Sequence, residues 1–130
     1  MSAAATVRTA LDTLNGEGVE AALEWFADDF HGEVPPDLSA EPDSYDGHDG
    51  LRRYFDSFRE IVEDLRFDAE ELVDAGPDVV VARGIITGRG RESGIPIEMR
   101  VPQVIRLREG KVVEISAYTD WDDAVAAATG

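Results

Sequence analysis

The sequence predicts an α+β fold in which helices lead and an antiparallel sheet follows. Three observations carry that expectation. Apolar residues recur at helical spacing in the first half; they alternate with polar ones in the second; and the alternating runs are joined by the short turn strings "AGP", "RGRESG" and "EG". Helices first and a hairpin meander second is the ordering of an α+β domain. At 130 residues the chain has the length of one domain, residues 1–130, with enough apolar residues (43%) to bury a core unaided.

Val7, Ala10, Leu11 and Leu14 keep one helical face, and "NGEG" stops that first helix near Asn15 with residues suited to a left-handed cap. Val19, Ala22, Leu23 and Phe26 repeat the pattern over a second, shorter helix, after which "FHGEVPPD" reads as the end of a first strand. From Val34 to Gly50, "VPPDLSAEPDSYDGHDG" is dense in residues that favour turns, so a long loop is expected there. A third helix follows, with the stripe Leu51, Tyr54, Phe55, Phe58, Ile61 and Val62, and Asp46 or Asp49 is placed to cap it. After Asp64 the period changes to two. Four strands are expected in "LRFDAEELVD", "DVVVARGIITG", "IPIEMRVPQVIRLRE" and "KVVEISAYTD", then a brief helix in "DWDDAVAAATG" capped by Asp120 or Asp122. An antiparallel sheet with helices on one face must curl around them to bury their stripes. The expected shape is therefore a cone-shaped, curved antiparallel sheet wrapped around the N-terminal helices, with an apolar cavity between the concave face and the third helix.

Composition narrows the function classes. The chain holds 28 acidic and 12 basic residues, a net charge of −16, and Lys111 is its one lysine. Nucleic acid is excluded as a partner on that balance. Residues 1–65 carry 16 acids and 4 bases, residues 66–130 carry 12 and 8, so the excess acid lies on the helical half. Such a surface fits either a high-salt habitat or an arginine-for-lysine composition in a merely acidic protein. Without cysteine there is no disulfide, thiolate nucleophile or thiolate metal site. No run has the eighteen or so apolar residues of a membrane span and the start lacks a signal-peptide pattern, so a cytoplasmic protein without a membrane partner is expected.

The candidate site residues come from strand alternation. Either His31 or Glu33 can face the cavity, and a carboxylate buried there would be raised toward neutrality, as a general base needs. His31 could share the site as a proton shuttle or be a hydrogen-bonded part of the wall. Period two groups Val79, Val81, Arg83 and Ile85, and likewise Met99, Val101, Gln103 and Ile105, as cavity-facing sets. An inward Arg83 would need an acid or an anionic ligand. Glu98, Arg100, Arg106, Arg108 and Glu114 take the outer face. Tyr54, Phe55, Phe58, Trp25 and Phe30 supply most of the aromatic area, divided between core and pocket wall. His48 reads as a surface residue. A metal site from His31, Glu33, His48 and Asp49 can be drawn, but no recognised ligand spacing supports it, and no cofactor is expected. "GRGRESG" is a hairpin tip rather than a phosphate loop, since no GK[ST] follows.

The order of elements and the strings "ALEWFADDF", "YDGHDGLRRYFDSF", "VVVARGIITGRG" and "VIRLREGKVVEISAYTDWDDAV" resemble the SnoaL-like branch of the NTF2-like superfamily over nearly the whole chain. That superfamily also contains ketosteroid isomerase and limonene epoxide hydrolase. The resemblance implies an α+β barrel with a hydrophobic pocket for an apolar small molecule, frequently a homodimer through the outer sheet face. It places the isomerases' general-base carboxylate on or beside Glu33, their second carboxylate on Gln103 and their oxyanion-binding tyrosine near Ala10. The epoxide hydrolases' arginine matches Arg83, but their aspartates fall on Ile85 and Ala117. Two readings follow. One is a proton-transfer isomerase or cyclase with Glu33 as base, Gln103 or Arg83 stabilising an oxyanion, and His31, Tyr54, Phe58, Met99, Val101 and Ala117 around the ligand. The other is a non-catalytic apolar-ligand-binding or dimerisation module.

Overall fold

The computed structural model describes residues 2–34 and 43–129. Helix α1 (Ala3–Glu17) starts where the Ser2 hydroxyl accepts from the Ala5 amide at 3.1 Å and ends at Gly18, whose φ of 98° suits glycine. The second helix is shorter than expected: α2 (Val19–Ala22) passes through a 3-10 turn, Leu23–Trp25, so Phe26 already opens strand β1 (Phe26–Val34).

The expected loop contains structure. Asp43–Asp46 forms strand β2, paired antiparallel with β1, and helix α3 (Gly47–Arg59) begins four residues before Leu51. The remainder of that loop, residues 35–42, lies outside the described residues. Close packing explains the early start: a Cβ on Gly50 would stand 2.8 Å from the Tyr45 carbonyl carbon, so the first turn of α3 lies against the β2 backbone. The capping expectation for α3 is corrected. Asp46 stands at the N-cap but its carboxylate meets His31 Nδ1 at 2.6 Å, and Asp49 accepts from Arg52 at 2.7 Å. At its other end α3 stops at Arg59, leaving Ile61 exposed while Val62 is buried in the next strand. Strands β3 (Val62–Gly76), β4 (Val79–Gly90), β5 (Pro96–Arg108) and β6 (Lys111–Ala117) follow as expected. Helix α4 (Trp121–Thr129) opens with the Asp120 carboxylate accepting from the Asp122 amide at 2.7 Å.

The six strands form one curved, open sheet in the order β2-β1-β6-β5-β4-β3. Its pairs are antiparallel except β1 with β6, which run parallel, so the sheet is mixed and does not close into a barrel. Helices α1 and α3 cover the concave face over a core that includes Val7, Leu23, Phe26, Phe30, Leu51, Phe55, Ile105 and Val112. Each such Leu, Ile or Phe contributes roughly 1.5–3 kcal/mol by leaving water. A second cluster lies on the other face, where Ala124 of α4 packs on Val81 and Val104. Adjacent residues Val80 and Val81 are 0% and 2% exposed, so β4 is buried on both sides. No helix among the described residues is long and apolar enough to cross a membrane.

Both sheet edges are held by side chains. At the β3 edge, Asn15 Nδ2 donates to the Phe67 carbonyl at 2.8 Å and Asn15 Oδ1 accepts from the Phe67 amide at 2.9 Å. Arg8 donates to the Ala69 carbonyl at 3.1 Å. Two residues of α1 thus pair with an edge that would otherwise present free backbone groups. Replacing Asn15 with Ala leaves both Phe67 groups without a protein partner. It should lower stability by about 1–3 kcal/mol in urea unfolding and speed exchange of the Phe67 amide; unchanged exchange would show that Asn15 does not hold this edge.

At the β2 side, His31 bridges two strands through Asp46 and through Glu33 of its own strand, at 2.6 and 3.1 Å, with Glu114 its neighbour on β6. The Asp46 bond, then the Glu33 bond, raise the His31 pKa above the ordinary value of 6.5. Its stabilising contribution is therefore complete below that value and fades as pH rises through the folded pKa. The stability difference between wild type and His31→Gln should shrink from about pH 6 to pH 8.5; a difference that is flat or grows with pH contradicts the bridge.

Candidate functional site

Between α1, α3 and the concave sheet face lies a cavity of about 110 Å³. At roughly 10–15 Å³ per water it has the space of several waters, enough for a small organic ring. Leu11 and Leu14 of α1 and Leu51, Tyr54 and Phe55 of α3 form one side, and inward residues of β1, β3, β4, β5 and β6 the other. Six aromatic residues line it: Phe26, Phe30, Tyr45, Tyr54, Phe55 and Phe67. They interlock edge to face, with Tyr45 and Tyr54 centroids 5.0 Å apart and Phe55 and Phe67 also 5.0 Å apart.

Strand glycines help keep the space open. A Cβ on Gly84 would lie 2.8 Å from the Val101 carbonyl oxygen and 3.2 Å from Gln103 Oε1, so the Gln103 carboxamide rests where a larger residue would project. A Cβ on Gly32 would stand 3.1 Å from the Phe30 ring.

Besides the Tyr45 phenol, two neutral polar groups belong to the described lining, the Tyr54 phenol and the Gln103 carboxamide. Neither has a hydrogen-bond partner among the described residues. Burial, with a smaller effect of Tyr45, pushes the Tyr54 pKa well above the ordinary tyrosine value, so the phenol is protonated and can donate at neutral pH.

The strand register decides the other candidates. Residues directly opposite one another share a face, and Gln103 pairs with Ala82 and Ala117, Val101 with Gly84, and Met99 with Ile86. Gln103, Val101 and Ala117 line the cavity as expected; Met99 shares their parity but lies beyond the lining. The β4 set is corrected by one residue: Val80, Ala82, Gly84 and Ile86 share the inner face with the β5 set, and Val79, Val81 and Arg83 take the outer one, while Ile85 of the expected set still borders the cavity. Arg83 does not face the cavity. It meets Glu71 at 2.9 Å and lies over the Trp121 ring at 3.8 Å.

The β1 candidates are corrected in the same way. Phe30 and Gly32 point inward, so His31 and Glu33 take the opposite face, where they bond to each other. Glu33 borders the cavity, but its side chain is 66% exposed. Phe58 packs behind the wall, 5.1 Å from Tyr54 and 5.7 Å from Phe67 between ring centres. His48 is half-buried rather than a surface residue, its Nε2 at 3.0 Å from the Phe26 carbonyl oxygen. Among the described residues no group of three or more His, Asp or Glu side chains is arranged to hold a metal ion.

Sequence reasoning missed Tyr45, Asp68, Ala82 and Gly84 as lining residues. Tyr45 sits in a string whose Asp, Ser and Gly neighbours signal a turn. Ala82 and Gly84 sit in a run that is apolar at both parities, so alternation there has no unique phase. Asp68 is held at the border, accepting from Asn15 at 3.1 Å and from Arg66 at 3.2 Å.

Comparison with known proteins agrees with this architecture. The chain is similar in structure to an NTF2-like protein from Burkholderia thailandensis, with 24% identity, a TM-score of 0.77, and 100% of this chain and 98% of that one covered. It is similar to a Mycobacterium tuberculosis protein crystallised with estradiol-17beta-hemisuccinate, with 18% identity, a TM-score of 0.74, and 94% and 97% covered. A third likeness is to a Catenulispora acidiphila protein with a ketosteroid isomerase-like fold in complex with trimethylamine, with 16% identity, a TM-score of 0.72, and 96% and 92% covered. At these identities the likeness shows the fold. No match to a curated protein is found by sequence. The SnoaL-like domain family, however, matches residues 7–115, and with that match over an NTF2-like fold the chain belongs to the SnoaL-like family.

Proposed function

We propose that this protein binds a small, largely apolar molecule carrying one hydrogen-bonding oxygen, with the Tyr54 hydroxyl and the Gln103 carboxamide as its polar contacts. The observation that carries this reading is an apolar, aromatic-lined cavity in which two lining polar side chains, Tyr54 and Gln103, lack hydrogen-bond partners among the described residues. Polar groups so placed are stabilised by a complementary ligand group or by water. Small-molecule complexes of the Mycobacterium and Catenulispora relatives support a ligand site in this fold.

Binding is favoured over proton transfer because proton abstraction needs a base within reach of the ligand. Glu33 carries its carboxylate on the opposite sheet face and bonds to His31 there, and Asp68 is held by Asn15 and Arg66. The homodimer belongs to the same proposal. Helix α4 already covers part of the outer sheet face, so a partner would meet the remaining part, where Arg100 pairs with Glu70 and Glu98 and Arg106 with Glu114. Light scattering at low and high salt measures it, and a monomer at both would end that part of the proposal.

Acetophenone, a small aryl ketone, should bind the wild-type protein in calorimetric titration. Tyr54→Phe and Gln103→Leu should each weaken it by about 3–10-fold, the size of one neutral hydrogen bond, with the fold intact by circular dichroism. Wild-type affinity in both variants would remove these two groups from the reading.

A further inference from the structure

We infer that the cavity selects its ligand by charge, admitting neutral or cationic molecules and rejecting carboxylates and other anions; this rests on the cavity's being a ligand site as proposed above. Four observations carry it. No arginine, lysine or histidine is among the described lining residues. The arginine that alternation placed inside, Arg83, is on the opposite face, held by Glu71 and the Trp121 ring. The two ionisable residues that border the space, Glu33 and Asp68, are acids, so neither offers a cation to a ligand anion; they are bonded to His31 and to Asn15 and Arg66, respectively. The wall carries six aromatic rings, whose faces are electron-rich and attract cations rather than anions.

The physical argument is one of desolvation. A carboxylate entering the cavity would give up its hydration and find neutral side-chain donors, Tyr54 and Gln103 among them, with no cationic side chain in the described lining to oppose its charge. A neutral amide or ketone loses far less water and can be satisfied by the same two groups. An ammonium or amidinium gains from the ring faces. The upward displacement of the Tyr54 pKa is consistent with this, since the burial that disfavours a phenolate disfavours a ligand anion in the same place. The chain's net charge of −16 acts in the same direction at long range, but that contribution is screened by salt, whereas desolvation inside the cavity is not.

Benzamide, benzamidine and benzoate test this, being nearly equal in shape and different in charge. Each is titrated into the full-length protein at 0.1 M and 0.5 M NaCl, with binding located by amide chemical shifts of Gly84 and the Gln103 side chain. Benzamide and benzamidine should bind and move those signals, and benzoate should bind at least about tenfold more weakly at both salt concentrations. Benzoate within threefold of benzamide overturns the charge selection and leaves the ligand site standing. A preference that disappears at 0.5 M salt also overturns it, because net charge alone then accounts for the difference. If none of the three moves the Gly84 and Gln103 signals, the ligand-site reading fails and the charge inference fails with it.

Discussion

Among the described residues, the concave face of a single open sheet is kept from water mainly by two helices, α1 and α3, and the rest of the structure depends on how they are held. Their contact is not uniform. Asn15 and Arg8 pair with the exposed backbone of β3, which fixes α1 along that edge. Gly50 lets α3 press onto β2 at the opposite edge. With a helix anchored at each side, the middle of the sheet is bridged rather than filled. The inward residues of the bridged region include Gly32, Ala82, Gly84 and Ala117, which are too small to occupy it. The cavity thus follows from where the helices are tied and from small residues beneath them.

The outer face solves a different problem. Val79, Val81 and Val104 would expose an apolar patch there, and α4 covers it with Trp121 and Ala124. Arg83 completes the cover by lying over the indole, and Glu71 balances its charge. Placing this cation outside has a consequence inside, since no arginine, lysine or histidine is left among the described lining residues. The covered patch and the absence of Arg83 from the cavity therefore have one origin in the register of β4 against β5.

The first strand applies the same logic at the other edge. Phe30 and Gly32 face the core, so His31 and Glu33 must face away, where His31 joins Glu33 to Asp46 across to β2. The residues that look most like chemistry in the sequence form an edge clip. The groups that face the cavity, Tyr54 and Gln103, are ordinary members of a helical stripe and a strand alternation. A polar residue at an apolar-facing position was a more useful signal here than a histidine near a glutamate.

By itself the sequence determined the order of the helices and long strands, the four long strands and their hairpins, the stripe of α3, a cap at Asp120 or Asp122 and the inward parity of β5. Each is set by interactions between residues near one another in the chain. It could not set the phase of β4, because Val79 to Ala82 are apolar at every position and two covers, α1 with α3 on one face and α4 on the other, compete for them. Nor could it show β2, since Asp43–Asp46 is a strand only because β1 lies beside it and α3 behind it. The outward turn of Glu33 and Arg83 was likewise decided by tertiary structure. A period of two limits a strand to two choices, and only packing against the other elements selects one of them.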